Sequence, residues 1–324
     1  MTHVLVTCAG RRVSLVRAFL EAAHERGLQV LAADPDPLAP ALVDVDLAVR
    51  VPALADPAYV PRLLEVIGEH EVGLVVPTID TELPLLARHS EDLARAGALA
   101  LVSSAAFVDV CGDKATTAEA FSARGIDVPR SWLPEDLAGD TLPELPDALV
   151  VKPRNGSSSK DVHLIERGSV RQTVDVVPHA IIQERLTGPE VTVDALLDLD
   201  GRPVHYVPRT RIKTLGGESI QGVTLPHDEL GPWIERVLTA CSELGARGPV
   251  TLQFFRTERG PVLIEVNPRF GGGFPLTRAA GGDYPAWLLD QVAGATTPQR
   301  FGDYREGLYM TRYMVEHFTD ELRW

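Results

Sequence analysis

The 324-residue sequence predicts a parallel α/β unit followed by an α+β unit, and three observations carry that expectation. Short apolar runs alternate with helical patterns as far as residue 104. Beyond about residue 110 the strands turn to alternating patterns broken by a Pro-rich stretch. The last two strands flank the short segment "RTERG", as a hairpin would. Buried β runs with helices between them indicate a parallel sheet covered on both faces. Alternation suits antiparallel strands with one wet face.

The elements follow in order. "HVLVTC" (His3–Cys8) is a strand ending at Gly10, and "RRVSLVRAFLEAAHERG" is helical. "LQVLAAD" (Leu28–Asp34) is a second strand, "AYVPRLLEVIGEH" a helix, and "VGLVVPT" (Val72–Thr78) a third strand. "TELPLLARHSEDLARAG" reads as one helix and "ALALVSS" (Ala98–Ser104) as a fourth strand. "DKATTAEAFSARG" is a helix capped by Asp113, whose side chain can accept from the first free N–H groups. "ALVVKP", "VHLIE", "HAIIQER" and "EVTVDALLDLDG" are strands, and "ELGPWIERVLTACSELG" is an amphipathic helix. "GPVTLQFF" and "PVLIEVNP" then form the hairpin. The expected units are residues 1–110, 111–182 and 183–324.

Lys and Arg total 31 against 45 Asp and Glu, for a formal net charge of −14. This acidity argues against nucleic acid or an anionic membrane as the main partner. It leaves room for a local positive pocket. No apolar run reaches the roughly 18 residues that span a bilayer. The start, "MTHVLVTCAGRRVSL", has neither the basic region nor the long apolar stretch of a signal peptide, so a cytoplasmic protein is expected. Cys8, Cys111 and Cys241 are far apart and form no C-x-x-C pair, so neither a disulfide framework nor a zinc site is supported. Cys8 and Cys241 sit in apolar runs and are expected in the core.

"PVLIEVNPRFGGG" places Glu265 and Asn267 two apart, so their side chains leave the strand on one face while Ile264 and Val266 take the other. If the neighbouring strand pairs, Gln253 adds a third oxygen. Oxygen donors with few charges suit magnesium, which keeps waters and completes its octahedron with phosphate oxygens. A polar strand face open to solvent would look the same. Lys152 ends a strand just before Gly156, Ser157, Ser158 and Ser159, a donor-rich loop able to wrap a polyphosphate. It is not a Walker A loop, and a flexible hairpin with a surface lysine is the plain alternative. A strand ends at Gln183-Glu184 and resumes at Glu190. Interrupted backbone there can read an adenine edge, and Glu190 can take ribose hydroxyls; an exposed turn with two acids is the alternative.

In a parallel sheet, ligands gather at the carboxyl ends of the strands. Arg11 and Arg12 lie there and could anchor a carboxylate, while Asp80 and Glu82 could hold an ammonium group. Both pairs also fit an ordinary helix start. "TCAGRRVS" lacks G-x-G-x-x-G, which leaves Asp34 without a dinucleotide fingerprint. Gly272 and its neighbours permit either close approach of a substrate or a simple turn.

Taken in order, "DKATTAEAF", "VVKPRNGSSSKDV", "IIQERLTGPEVTVD" and "VTLQFF…LIEVNPRFGGG" resemble the ATP-grasp superfamily, nearest to its carbamoyl-phosphate-synthetase-like and PylC-like ligases. "VLVTCAGRRVSLVRAF" and "VVPTIDTELPLLA" extend the resemblance over nearly the whole chain. It implies an α/β N-terminal parallel-sheet (pre-ATP-grasp, Rossmann-like) domain followed by an α+β ATP-grasp domain with two subdomains. It further implies that Lys114 and Lys152 contact ATP phosphates and that Gly156 to Ser159 form a lid. Gln183, Glu184, Arg185 and Leu186 would hold adenine, mostly through backbone, and Glu190 the ribose. Gln253, Glu265 and Asn267 would bind Mg2+, with Mn2+ as an alternative, and Arg269 would face the γ-phosphate. "PRTRIKTLGGESIQG" falls where related enzymes have a closing loop, which makes Arg211 and Lys213 candidates.

The implied reaction joins a small-molecule carboxylate, activated as an acyl phosphate, to an amine with release of ADP. A homodimer is compatible with the resemblance. The alternatives are phosphorylation of bicarbonate or carbamate, and a non-catalytic ATP-binding regulatory protein. The chain carries one ATP module rather than two, which disfavours the first. Its intact lysines, metal ligands and arginine disfavour the second.

Overall fold

The computed structural model describes residues 3–139, 143–156, 161–215 and 218–322. The first elements are β1 (His3–Thr7), α1 (Val13–His24), β2 (Val30–Asp34), β3 (Leu47–Arg50), α2 (Tyr59–Glu69), β4 (Val72–Pro77), α3 (Leu83–Arg88), α4 (Ser90–Ala96) and β5 (Leu99–Ala100). Their strands form one parallel sheet in the order β3-β2-β1-β4-β5. β3 is absent from the sequence reading because "LAVR" is too short and too exposed to show a pattern. The single helix expected over 81–97 is two, broken at His89. The strand expected over 98–104 shrinks to Leu99–Ala100.

Next come α5 (Ala105–Gly112), α6 (Lys114–Ser122), β6 (Ser131–Trp132), β7 (Ala148–Pro153), β8 (His163–Glu166), α7 (Val170–Val174) and β9 (Ala180–Glu184). Asp113 caps α6 as expected, its Oδ1 accepting from Ala115 N–H at 2.8 Å. The antiparallel sheet β6-β9-β7-β8 packs on a small core around Leu149, Val151 and Ile182. It continues to Glu184, past the boundary expected at residue 182.

The remaining elements are β10 (Glu190–Leu197), β11 (Pro203–Leu215), β12 (Glu218–Thr224), α8 (His227–Glu243), β13 (Gly248–Thr257), β14 (Gly260–Asn267), α9 (Phe274–Ala279), α10 (Tyr284–Val292) and β15 (Tyr309–Thr311). They build an antiparallel sheet in the order β14-β13-β10-β11-β12-β15. One face packs on α8 and carries Val191, Val193, Leu252, Phe254 and Val266 into the core. The other face is polar and forms the floor of the site.

α1 shares a core with the far end of the chain. Phe19 meets Phe270 edge to face with ring centroids 5.8 Å apart, and Leu288 and Leu289 of α10 join the same cluster. Arg26 pairs with Asp290, and Arg278 with Glu21. The parallel sheet is thereby fixed with its strand ends facing the polar floor.

Candidate active site

Register places the functional side chains. Gln253 of β13 stands opposite Glu265 of β14, and on its other side opposite Thr192 of β10, which in turn faces Arg209 of β11. Arg209, Thr192, Gln253 and Glu265 therefore form one row across four strands. A neighbouring row holds Asp194, Thr251 and Asn267, and on the other side Arg211 reaches Glu190 through a hydrogen bond.

A β-bulge lies opposite Gln253 and Phe254: Gln253 pairs with Glu265 but Phe254 pairs with Leu263, which leaves Ile264 as the extra residue. Strict alternation would send Ile264 to the core with Val266. The bulge instead turns it to the cavity face, and Leu263 takes the core position.

Two cavities open over this floor. The larger, ≈ 700 Å3, lies between the small sheet and the large one. Val150, Leu164, Leu186, Phe255 and Ile264 supply apolar walls, with Lys114, Lys152, Gly156 and Glu190 among the polar lining. The smaller, ≈ 440 Å3, lies between the large sheet and the ends of β1 and β4. Arg11, Arg12, Asp80, Arg209, Asn267, Arg269 and Gly272 line it. Arg211, Gln253 and Glu265 belong to both, so the cavities meet at that cluster.

In the larger cavity, Lys114 Nζ donates to Gly156 O at 2.9 Å and to Arg154 O at 3.3 Å, tying the head of α6 to the loop after β7. Ser157, Ser158 and Ser159 lie outside the described residues. Burial, reinforced by Lys114 nearby, pushes the Lys152 ammonium down to about 8. Leu186, just past the end of β9, has no hydrogen-bond partner for its N–H among the described residues. Its backbone can therefore serve the edge of a base. Gln183 turns its amide to Ser131 Oγ at 2.9 Å. Glu184 is claimed by Arg130 Nε at 3.1 Å and Arg259 Nη2 at 2.5 Å, which hold its carboxyl below the usual range despite partial burial. Its side chain ties β9 to Arg130 and to the β13–β14 turn, and Arg185 joins it in the lining.

At the junction, Arg211 Nη1 donates to Glu190 Oε1 at 2.7 Å. With its amide oriented to satisfy both neighbours, Gln253 donates to Glu265 Oε2 at 2.5 Å and accepts from Arg211 at 3.3 Å. Arg269 Nη2 donates to Asp80 Oδ2 at 2.6 Å and to Asn267 Oδ1 at 3.2 Å, which joins the parallel sheet to the hairpin. Among the described residues no cluster of three His, Cys, Asp or Glu forms a cation cage. One carboxylate with two amide oxygens fits a magnesium ion that brings waters and phosphate oxygens with it.

Several expectations are corrected. Glu82 does not reach the cleft. It is fully buried, Tyr59 Oη donates to it at 2.6 Å, and burial raises its pKa, so it is no ammonium ligand. Lys213 is exposed outside both linings, because the β11–β12 ladder is irregular between Arg211 and Lys213 and breaks the alternation. The described part of the expected closing loop over 208–222 is a β-ladder. Cys8 is not core: it lines the smaller cavity at φ 47°, and burial raises its thiol pKa. Asp34 accepts from Gly10 N–H at 2.8 Å and shapes the β1–α1 turn.

Arg209, Thr192 and Asp194 join the site beyond the residues that the sequence motifs single out; for Arg209 the signal is "RTRIK", which alternates basic and other residues at strand period.

Comparison with known proteins agrees with this architecture. Residues 4–101 match a family described as "PylC-like, N-terminal domain", and residues 176–314 match "ATP-grasp in the biosynthetic pathway with Ter operon". These two matches, one to a PylC-like N-terminal domain and one to an ATP-grasp domain, fall on the parallel-sheet unit and on the antiparallel unit respectively. Among curated proteins it is 30% identical over 178 residues to a D-alanine–D-alanine ligase of Granulibacter bethesdensis, covering 49% of this chain. The matched stretch is 57% of that ligase's length, and 37% of the length of a second curated relative. A biotin carboxylase of Campylobacter jejuni superposes with TM-score 0.77 at 14% identity, over 95% of this chain and 74% of that one. An L-amino acid ligase of Bacillus licheniformis superposes with TM-score 0.68 at 20% identity, over 90% and 74%. At these identities the superpositions show the fold. No helix of the described residues is long and apolar enough to cross a membrane.

Proposed function

We propose that the protein is an ADP-forming carboxylate–amine ligase that takes ATP in the larger cavity and an acid and an amine in the smaller. The observation that supports this most directly is the shared wall: Arg211, Gln253 and Glu265 border both cavities. A phosphoryl group held there faces the nucleotide on one side and a carboxylate on the other. The three parts expected over 1–110, 111–182 and 183–324 belong to this reading, as does a cytoplasmic setting.

The backbone around Leu186 takes the base, Glu190 the ribose, and Lys114 and Lys152 the phosphates, with Gly156 beside them. Arg269, held by Asp80 and Asn267, presents a planar fork to the transferring phosphoryl group, and Arg211 adds a second positive charge. Both reactants of the first step are anions, so catalysis consists of alignment and charge compensation. Magnesium bound by Gln253, Glu265 and Asn267 would supply Lewis-acid compensation for the phosphate oxygens. The product is an acyl phosphate, which the amine attacks with release of phosphate. A cavity of ≈ 440 Å3 exceeds the need of bicarbonate, given roughly 30 Å3 per water-sized molecule.

The test is ADP release over pairs of amino acids and other small acids, with product masses measured. A mass equal to acid plus amine minus water is expected, and ATP turnover without a condensed product would refute the reading. Glu265→Ala is expected to lower kcat by about a thousandfold or more, while near-normal turnover would remove Glu265 from the metal site.

A further inference from the structure

The row across the large sheet has two unlike ends. Gln253 and Glu265 stand at one, Thr192 and Arg209 at the other. Only the first end has a role in the reaction above.

Arg209 is almost wholly buried and built in from several sides. Its Nε donates to Asp194 Oδ2 at 2.9 Å, and the same oxygen accepts from Thr277 Oγ1 at 2.8 Å. Both partners of this ion pair are 3% exposed. The glycine loop presses on the pair: a Cβ on Gly273 would lie 2.1 Å from Arg209 Cζ, and one on Gly271 2.2 Å from Asp194 Oδ1. A guanidinium held this firmly keeps one orientation.

The arrangement leaves donors without partners. Arg209 Nη1 is buried with no hydrogen bond, and so is Thr192 Oγ1 beside it. Both residues line the smaller cavity. A buried donor left without a partner is costly, and more so when it is charged. A guanidinium beside a hydroxyl donor is a receptor for a planar anion.

We infer that Arg209 and Thr192 form a subsite for a second, non-reacting carboxylate of the substrates, apart from the carboxylate that is phosphorylated. Adjacent strands lie about 4.8 Å apart, so three steps, roughly 14 Å of backbone, separate Arg209 at one end of the row from Glu265 at the other. The reacting carboxylate must lie at the Gln253–Glu265 end. A carboxylate on Arg209 therefore belongs to another part of the same acid or to the amine. This inference rests on the ligase reading for which end reacts.

The test pairs each substrate with its amide. Glutamate against glutamine varies the acid; alanine against alaninamide varies the amine. ADP release is measured for wild type, Arg209→Lys, which keeps a cation opposite Asp194, and Thr192→Val. Wild type is expected to prefer one carboxylate-bearing member by at least about tenfold in KM. Arg209→Lys should collapse that preference toward unity, and Thr192→Val should reduce it, both with ADP affinity retained. Whichever arm shows the preference identifies the substrate that carries the group. Equal KM values within both pairs, or preferences untouched by either variant, overturn the subsite. If no pair releases ADP, the ligase reading fails, and calorimetric titration with the same four compounds judges the subsite. Heat from a carboxylate but not from its amide, lost in Arg209→Lys, sustains it; indifference overturns it.

Discussion

Lys152 is a cation placed where little water reaches. Its ordinary pKa of 10.5 falls to about 8 through burial, with Lys114 adding repulsion. Between those values the folded form is neutral and the unfolded form charged, so the unfolded state binds more protons and stability rises with pH across about 8 to 10.5. Below pH 8 the full penalty of the buried charge is present. A polyphosphate beside the amine favours the charged form. Nucleotide binding near pH 8 is therefore expected to take up a fraction of a proton, read by calorimetry in buffers of different ionisation enthalpy. Lys152→Met should abolish the uptake and weaken nucleotide binding by about tenfold or more; uptake that persists would place the titrating group elsewhere. At this scale Lys152 was legible, as a lone cation ending an apolar strand. Glu82 was not: its buried partner, the Tyr59 hydroxyl that donates to it, lies 23 residues earlier in the chain.

At the scale of elements, the hairpin of β13 and β14 followed from two alternating runs and a short turn, and with it the facing of Gln253 and Glu265. What alternation could not show is where a strand gains a residue. The bulge turned Ile264 to the face opposite the one a period of two assigns, and past the irregularity after Arg211 Lys213 lies outside both cavity linings. The triple glycine also reads differently once placed. Gly271 and Gly273 make room for a buried ion pair rather than for motion. Gly273→Ala is expected to destabilise the protein by about 3 kcal/mol in urea unfolding, because the methyl group must displace Arg209 from Asp194. Gly68 in α2 has open space around it, and Gly68→Ala should stabilise by about 1 kcal/mol. Equal effects would mean that the loop relaxes without disturbing the pair.

Over the whole molecule, stability is uneven. The parallel sheet and the chain's last helices share one large core, whereas the small sheet rests on a cluster of few residues. Native-state hydrogen exchange is expected to show faster opening in β7, β8 and β9 than in β1 and β4. ADP with magnesium should slow exchange in the small sheet, since a ligand bound between the two sheets favours their closed arrangement. Uniform protection without nucleotide would contradict this. The two-part architecture was legible from the change of rhythm near residue 110. The contact of α1 with α10 was not, because nothing local in either helix names a partner more than 250 positions away.

The inserted residue of β14 also limits how the protein could be altered. A hydrocarbon wall of the larger cavity, Ile264, and an acid at the junction, Glu265, are consecutive in the chain. Consecutive Cα atoms are 3.8 Å apart, so the fit of the base and the placement of the acid cannot be tuned separately here. Ile264→Ala is expected to raise KM for the nucleotide and lower kcat together. A change confined to KM would show that the two neighbours act independently after all.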